Sequence, residues 1–111
     1  MSREEKKLLF DIQQSIEKIE IFMQNCQGFE NYDTDIMLQS AVERNLEIIG
    51  EATNKLLRIN TAILITNARK IVDTRNRLIH GYDSVDNTEI WAILINHLPV
   101  LKKEVSSLLN A

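Results

Sequence analysis

This chain of 111 residues predicts an all-α fold, a bundle of four or five up-and-down helices. Three observations carry that expectation. Only 3 glycines and 1 proline occur, too few turn-forming residues for a strand-rich fold. Apolar residues recur in long stripes at alternating spacings of three and four. Hydrophobic residues make up 44% and charged residues 26%, the balance of a chain that buries a core. A single domain over residues 1–111 fits the length. A chain this small also gains from a second copy.

The first stripe is Leu9, Ile12, Ile16, Ile19, Met23 and Cys26. Ser2, with Glu5 three residues on, matches a capping box at its start. Gly28 ends this helix, and residues 27–34 read as a connection with Phe29 and Tyr32 packed beneath it. A second helix starts between Asp33 and Asp35 and turns Leu38, Ala41, Val42, Leu46, Ile49, Ala52 and Leu56 inward. Asn45 falls close to that stripe. Gly50, in mid-helix, costs about 1 kcal/mol relative to alanine. It either admits another backbone at close range or is a neutral surface glycine.

The third helix begins at Ala62 or Thr66 and ends at His80, before Gly81. Its inward positions are Ala68, Ile71, Val72, Leu78 and Ile79. A polar loop over 83–87 follows. The fourth helix begins near Thr88 and lines up Ile90, Trp91, Leu94, Ile95, Leu98, Leu101, Val105 and Leu108. Pro99 lies inside that pattern, removes one backbone hydrogen bond and should bend or break the helix.

Several function classes find no support. Cys26 is the one cysteine, so an internal disulfide and a cysteine zinc site are excluded and a reducing cytoplasm is expected. The N-terminus MSREEKKLLF is charged and unlike a signal peptide. No apolar run approaches the roughly 20 residues of a membrane span. No metal-ligand set, Gly-rich phosphate loop or Ser/Cys triad is visible, so neither a metal nor a cofactor is expected.

Net charge is −3, which argues against a general nucleic-acid binder. Its distribution is uneven. Residues 55–80 carry 6 basic groups (Lys55, Arg58, Arg69, Lys70, Arg75, Arg77) against 1 acidic group, Asp73. The segments on either side are net acidic. An anionic substrate is therefore drawn toward His80. A basic helix face pairing with the acidic first helix would give the same pattern.

The stretch Arg75-Asn76-Arg77-Leu78-Ile79-His80-Gly81-Tyr82 holds the candidate chemistry. Arginine can stabilise a charged phosphate, and histidine can move a proton near neutral pH. These are the minimum parts for cutting RNA without a metal, because the 2′-hydroxyl of the substrate would be the nucleophile. Arg75 and His80 lie about 140° apart around an ideal helix, so the helix distorts or the long arginine wraps around. Asn76 shares a face with His80 and is placed to position the substrate or the imidazole. Tyr82 stands just beyond the cap, where its phenol can hydrogen-bond or accept a covalent group. Plainer roles fit each residue: His80 satisfying helix-end carbonyls, Arg75 in a surface ion pair, Tyr82 closing the core edge. His97 lacks matching partners and reads as structural.

Arg75 to Tyr82 resembles the R-x4-6-H-x-Y signature of the HEPN superfamily, in its branch of HepT-like ribonuclease toxins. Residues 44–52, RNLEIIGEA, resemble the second-helix motif of that branch, and residues 89–101 resemble its last helix. The likeness runs from about Phe10 to Leu109 and rests on three ordered blocks. It implies an all-α homodimer in which two motifs face a shared cleft. It implies a metal-independent endoribonuclease with Arg75 and His80 catalytic. It also implies a partner, a minimal nucleotidyltransferase antitoxin of the MntA type, which transfers AMP from ATP to Tyr82. By the same resemblance, Arg44, Asn45 and Glu51 line the cleft.

The chain departs from that pattern where relatives carry a Pro- and Trp-containing stretch, here residues 60–65, and a Gly-Met pair, here Asp73-Thr74. An acidic Asp73 beside the cleft would weaken RNA affinity. The competing reading is a non-catalytic helical dimer that binds a nucleotidyltransferase partner or a nucleotide through the same basic face.

Overall fold

The computed structural model describes residues 1–81 and 85–111, and among them it is all helix and connection, with no strand. Helix α1 spans Arg3–Phe22, α2 Phe29–Thr34, α3 Ile36–Ile59, α4 Ala68–His80, α5 Asn87–Ala92 and α6 Leu98–Leu109. A π-helical turn, Ile93–His97, joins α5 to α6 in one unbroken rod. The expected all-α bundle is what the chain forms. No helix among the described residues is long and apolar enough to cross a membrane.

The helix starts follow local chemistry. The Ser2 hydroxyl accepts from the Glu5 N–H, and the Glu5 carboxylate accepts from the Ser2 N–H, each at 3.1 Å. That Ser2 N–H is the main cause holding the Glu5 carboxyl below its ordinary range. Asp35 caps α3 by accepting from the Leu38 N–H at 3.0 Å. Helix α1 ends at Phe22, earlier than Gly28, and the chain turns so that Met23 and Cys26 still pack on the core. The segment expected to be a plain connection contains α2, which buries Tyr32 completely. The Trp91 ring meets Phe29 edge-on at 6.0 Å and lies 6.1 Å from Tyr32, fastening α5 to α2.

Helix α3 is the central element, packed by α1 and by α4. Leu9, Ile12, Ile16 and Ile19 from α1 join Val42, Ile49 and Leu56 from α3 and Leu101 and Val105 from α6, all buried. Each such side chain contributes about 1.5–3 kcal/mol relative to exposure.

Helix α4 starts at Ala68, later than the sequence pattern indicates. Ile63 and Ile65 are buried while Leu64 is exposed, an alternation that a helical turn would not give. Asn67 then adopts a left-handed conformation, φ 60°, which asparagine tolerates better than most residues. Glu104 on α6 anchors this connection by accepting from the Thr66 N–H and hydroxyl.

The rod over 87–109 does not break at Pro99. Ile90, Leu94 and Leu98 are buried at two successive spacings of four. On a regular α-helix those eight residues rotate about 800°, roughly 80° past a common face. The wider π turn, in which the Leu98 N–H donates to the Ile93 carbonyl, takes up that drift. It also relieves the clash of the proline ring with the carbonyl four residues back. One consequence departs from expectation: Ile95 points outward and is 53% exposed.

Candidate active site

The last two turns of α4 carry the site. Its helix runs regularly to His80, and the Gly81 N–H closes it by donating to the Arg77 carbonyl at 2.8 Å. His80 is exposed at this end, and its imidazole has no hydrogen bond or ion pair among the described residues.

Arg75 is half-buried on the side of α4 that faces α3. A Cβ built on Gly50 would sit 2.1 Å from the Arg75 Cβ and 2.8 Å from its Cγ. Gly50 is therefore the gap into which the stem of Arg75 fits. Of the two sequence readings, close approach is correct. The buried Arg75 Nε has no acceptor among the described residues, and Nη1 donates to the Asn76 side-chain oxygen at 2.9 Å.

That hydrogen bond answers the geometric puzzle of the five-residue spacing. Asn76 lies about 40° from His80 around the helix, whereas the Arg75 Cα lies about 140° away. By holding the guanidinium tip, Asn76 draws it toward the side of α4 that carries His80. Of the two options left open, the arginine wraps and the helix stays regular.

The other candidates fall elsewhere. Arg44 is exposed and pairs with Glu47 at 3.3 Å, and Glu51 is exposed and pairs with Lys55 at 3.6 Å. Asn45 is buried. Its amide donates to the Ala41 carbonyl at 2.9 Å, and its side-chain oxygen has no donor among the described residues. None of the three is hydrogen-bonded to Arg75 or His80 among the described residues. Tyr82 lies outside the described residues.

Arg77 forms a two-pronged ion pair with Glu89 on α5, tying α4 to the rod. Arg58, near the end of α3, and Arg69 and Lys70, in the first turn of α4, form no ion pair among the described residues, so the unneutralised charge lies at the end of α4 away from His80. No group of three His, Cys, Asp or Glu among the described residues could hold a metal ion. What the arrangement offers is a guanidinium tied to Asn76 and an exposed imidazole on the same helix, groups suited to charge stabilisation and proton transfer at a phosphate.

A second feature escapes the sequence pattern. Between α4, which packs on α3, and the rod, which packs on α1 and α2, lies a groove of about 450 Å³ lined by residues of both and by Leu46 and Ile49 of α3. His97, read from sequence as structural, is on its wall because the π turn brings it there. The signal for this lay in the consecutive four-residue spacings before Pro99.

A family model described as ribonuclease HepT-like matches residues 12–108. The chain is 37% identical over 112 residues to a Thermococcus cleftensis protein named "probable ribonuclease HepT", a match covering 97% of this chain and 98% of that one. It is 30% identical over 109 residues to a Methanocaldococcus jannaschii protein named "putative RNase", covering 97% and 89% of the two chains. It is 31% identical over 98 residues to a protein of the same description from Caldanaerobacter subterraneus subsp. tengcongensis, covering 86% and 88%. No solved structure matches the chain significantly.

Proposed function

The chain belongs to the ribonuclease HepT-like family, and from that premise we propose that it is a metal-independent endoribonuclease toxin with Arg75 and His80 as its catalytic residues. The observation that carries this is the guanidinium of Arg75, held by Asn76 toward the side of α4 on which His80 is exposed. In the reaction, the substrate 2′-oxygen attacks the adjacent phosphorus and the bond from phosphorus to the 5′-oxygen breaks. An imidazole takes the 2′-hydroxyl proton, and an imidazolium returns a proton to the leaving 5′-oxygen. The Arg75 guanidinium stabilises the extra negative charge on the phosphoryl oxygens in the transition state.

A homodimer supplies two histidines to one cleft, so that base and acid come from different copies. Asn76 serves as the positioning residue, acting through Arg75. Tyr82 receives AMP from a nucleotidyltransferase antitoxin of the MntA type: its phenolic oxygen attacks the α-phosphorus of ATP and pyrophosphate leaves. The added phosphate brings charge and bulk to the site and silences it.

The deciding experiment is RNA cleavage by the purified protein in excess EDTA, with His80→Ala alongside and the product ends analysed. The expected result is 2′,3′-cyclic phosphate and 5′-hydroxyl ends from the wild type alone. Absence of cleavage by folded, unmodified wild-type protein would overturn the reading in favour of a non-catalytic binding module.

A further inference from the structure

We propose that the groove between α4 and the π turn is a substrate subsite that seats one unpaired nucleotide of the RNA beside the scissile phosphate. The proposal rests on the nuclease reading above and extends it to a second set of residues. The groove holds about 450 Å³, within the range of roughly 300–1,000 Å³ typical of small-ligand sites. Its floor is aliphatic, Leu46 and Ile49, and suits the flat apolar face of a base. Its rim is polar, with Lys70, Asp73 and Arg77 on the α4 side and His97 on the other.

Three features favour a nucleotide as the occupant. The α4 rim is continuous with the candidate active site. On an ideal helix Asp73 lies within about 20° of His80 and Arg77 within about 60°. Arg77 and Asp73 are about 4.5 and 10.5 Å from His80 along the axis, a reach that the neighbouring nucleotide can span. Lys70 forms no ion pair among the described residues and is free to meet a phosphate. Asp73, unfavourable beside a bare phosphate backbone, becomes useful in a subsite, because its carboxylate can accept from base N–H groups.

The groove also has a structural origin that keeps it open. The α5–π–α6 rod packs on α1 and α2, while α4 packs on α3. The Arg77–Glu89 pair spans the space between them as a strut. Nothing else among the described residues fills it.

The test uses the full chain carrying His80→Ala as a non-cleaving receptor and a short, fluorescently labelled, single-stranded oligoribonucleotide as the probe. Ala92, exposed on the groove rim, is changed to tryptophan to fill the groove, and Asp73→Asn removes the carboxylate. Both are compared with Lys103→Ala on the other side of the rod. The expected result is an affinity loss of about tenfold for each groove variant and none for the control, with melting temperatures preserved. Unlabelled nucleoside 3′-monophosphates should compete in the parent and fail to compete in the Ala92→Trp variant. Unchanged affinity in folded Asp73→Asn, or in folded Ala92→Trp, overturns the proposal. So does a change in sedimentation mass with RNA affinity unaltered, which would assign the groove to a second copy of the chain. Because the receptor does not cleave, this outcome is read separately from the wild-type cleavage assay that tests the nuclease.

Discussion

Gly50 on α3 and Arg75 on α4 occupy complementary space: the position a side chain would take on Gly50 is filled, to 2.1 Å, by the Cβ of Arg75. Two opposing effects therefore act on Gly50→Ala. Helix propensity alone favours alanine by about 1 kcal/mol. The clash sets the stem of Arg75 and the Ile71 backbone against the new methyl, a type of overpacking that costs about 1–3 kcal/mol. Steric cost should win, lowering the melting temperature. Displacing the guanidinium should also reduce kcat by about 10- to 100-fold with a smaller change in KM. A stabilised variant with full activity would show that the contact does not position Arg75.

Arg75→Lys should not restore activity. Lysine keeps the charge and can reach Asn76, but it offers a point charge where a planar fork is used. A loss of about 100-fold or more is expected in cleavage assays. Near-normal rates in Arg75→Lys would mean that only the charge matters.

The pair between Arg77 and Glu89 is partly exposed, with side-chain accessibilities of 41% and 38%. Its stabilising contribution should be modest, about 0.5–1 kcal/mol in a double-mutant cycle by chemical denaturation. A coupling energy indistinguishable from zero would remove the strut as a contributor to the spacing of α4 from the rod.

Tyr32 is fully buried and its hydroxyl has no partner among the described residues. Burial, with Glu43 and Cys26 as lesser causes, pushes its phenol far above the ordinary range. Tyr32→Phe removes the unsatisfied hydroxyl while keeping the ring against Trp91. It should leave stability unchanged or raise it by up to about 1 kcal/mol. A clear loss in thermal unfolding would reveal a hydrogen bond to that hydroxyl.

Glu43 gives a pH signature. Burial, then the nearby Glu47, raises its carboxyl above the ordinary value of 4.5. A carboxyl raised in the folded state favours folding while protonated. That contribution is complete below about 4.5 and is lost as pH rises through the folded-state value. Glu43→Gln should therefore raise the melting temperature at pH 7 more than at pH 4. An equal effect at both pH values would remove ionisation as the cause.

Local chemistry was the most legible layer of the sequence. Ser2 with Glu5 named its own helix start, because a cap is decided by three or four adjacent residues, and the start of α3 fell within the window from Asp33 to Asp35. The stripes named most of the core, although Ile79 and Ile95, counted as inward by spacing, are exposed. The start of α4 was not legible, since Ile63-Leu64-Ile65 suits a helix by composition and only tertiary packing shows that alternate residues are buried. At the candidate site, the motif pointed to Arg75 and His80 but not to the hydrogen bond from Arg75 to Asn76, because the side-chain conformation of an arginine is not written in helical spacing. Asn45 reads as a cleft residue by resemblance, yet it is buried and bonded to its own helix.

The π turn before Pro99 also sets how this chain can change in length. It holds one residue more than a regular helix needs to keep Ile90, Leu94 and Leu98 in line. Removing the exposed Ile95 would let residues 93–97 close into a regular helix, with Ile90 and Leu98 seven residues apart, about 700° and within about 20° of a common face. Leu101 and Val105 would then stay in the core. A deletion of one residue within the regular turns of α6 would instead rotate everything beyond it by about 100°, so gaps of one residue among related chains should fall within 93–97 or in the connections.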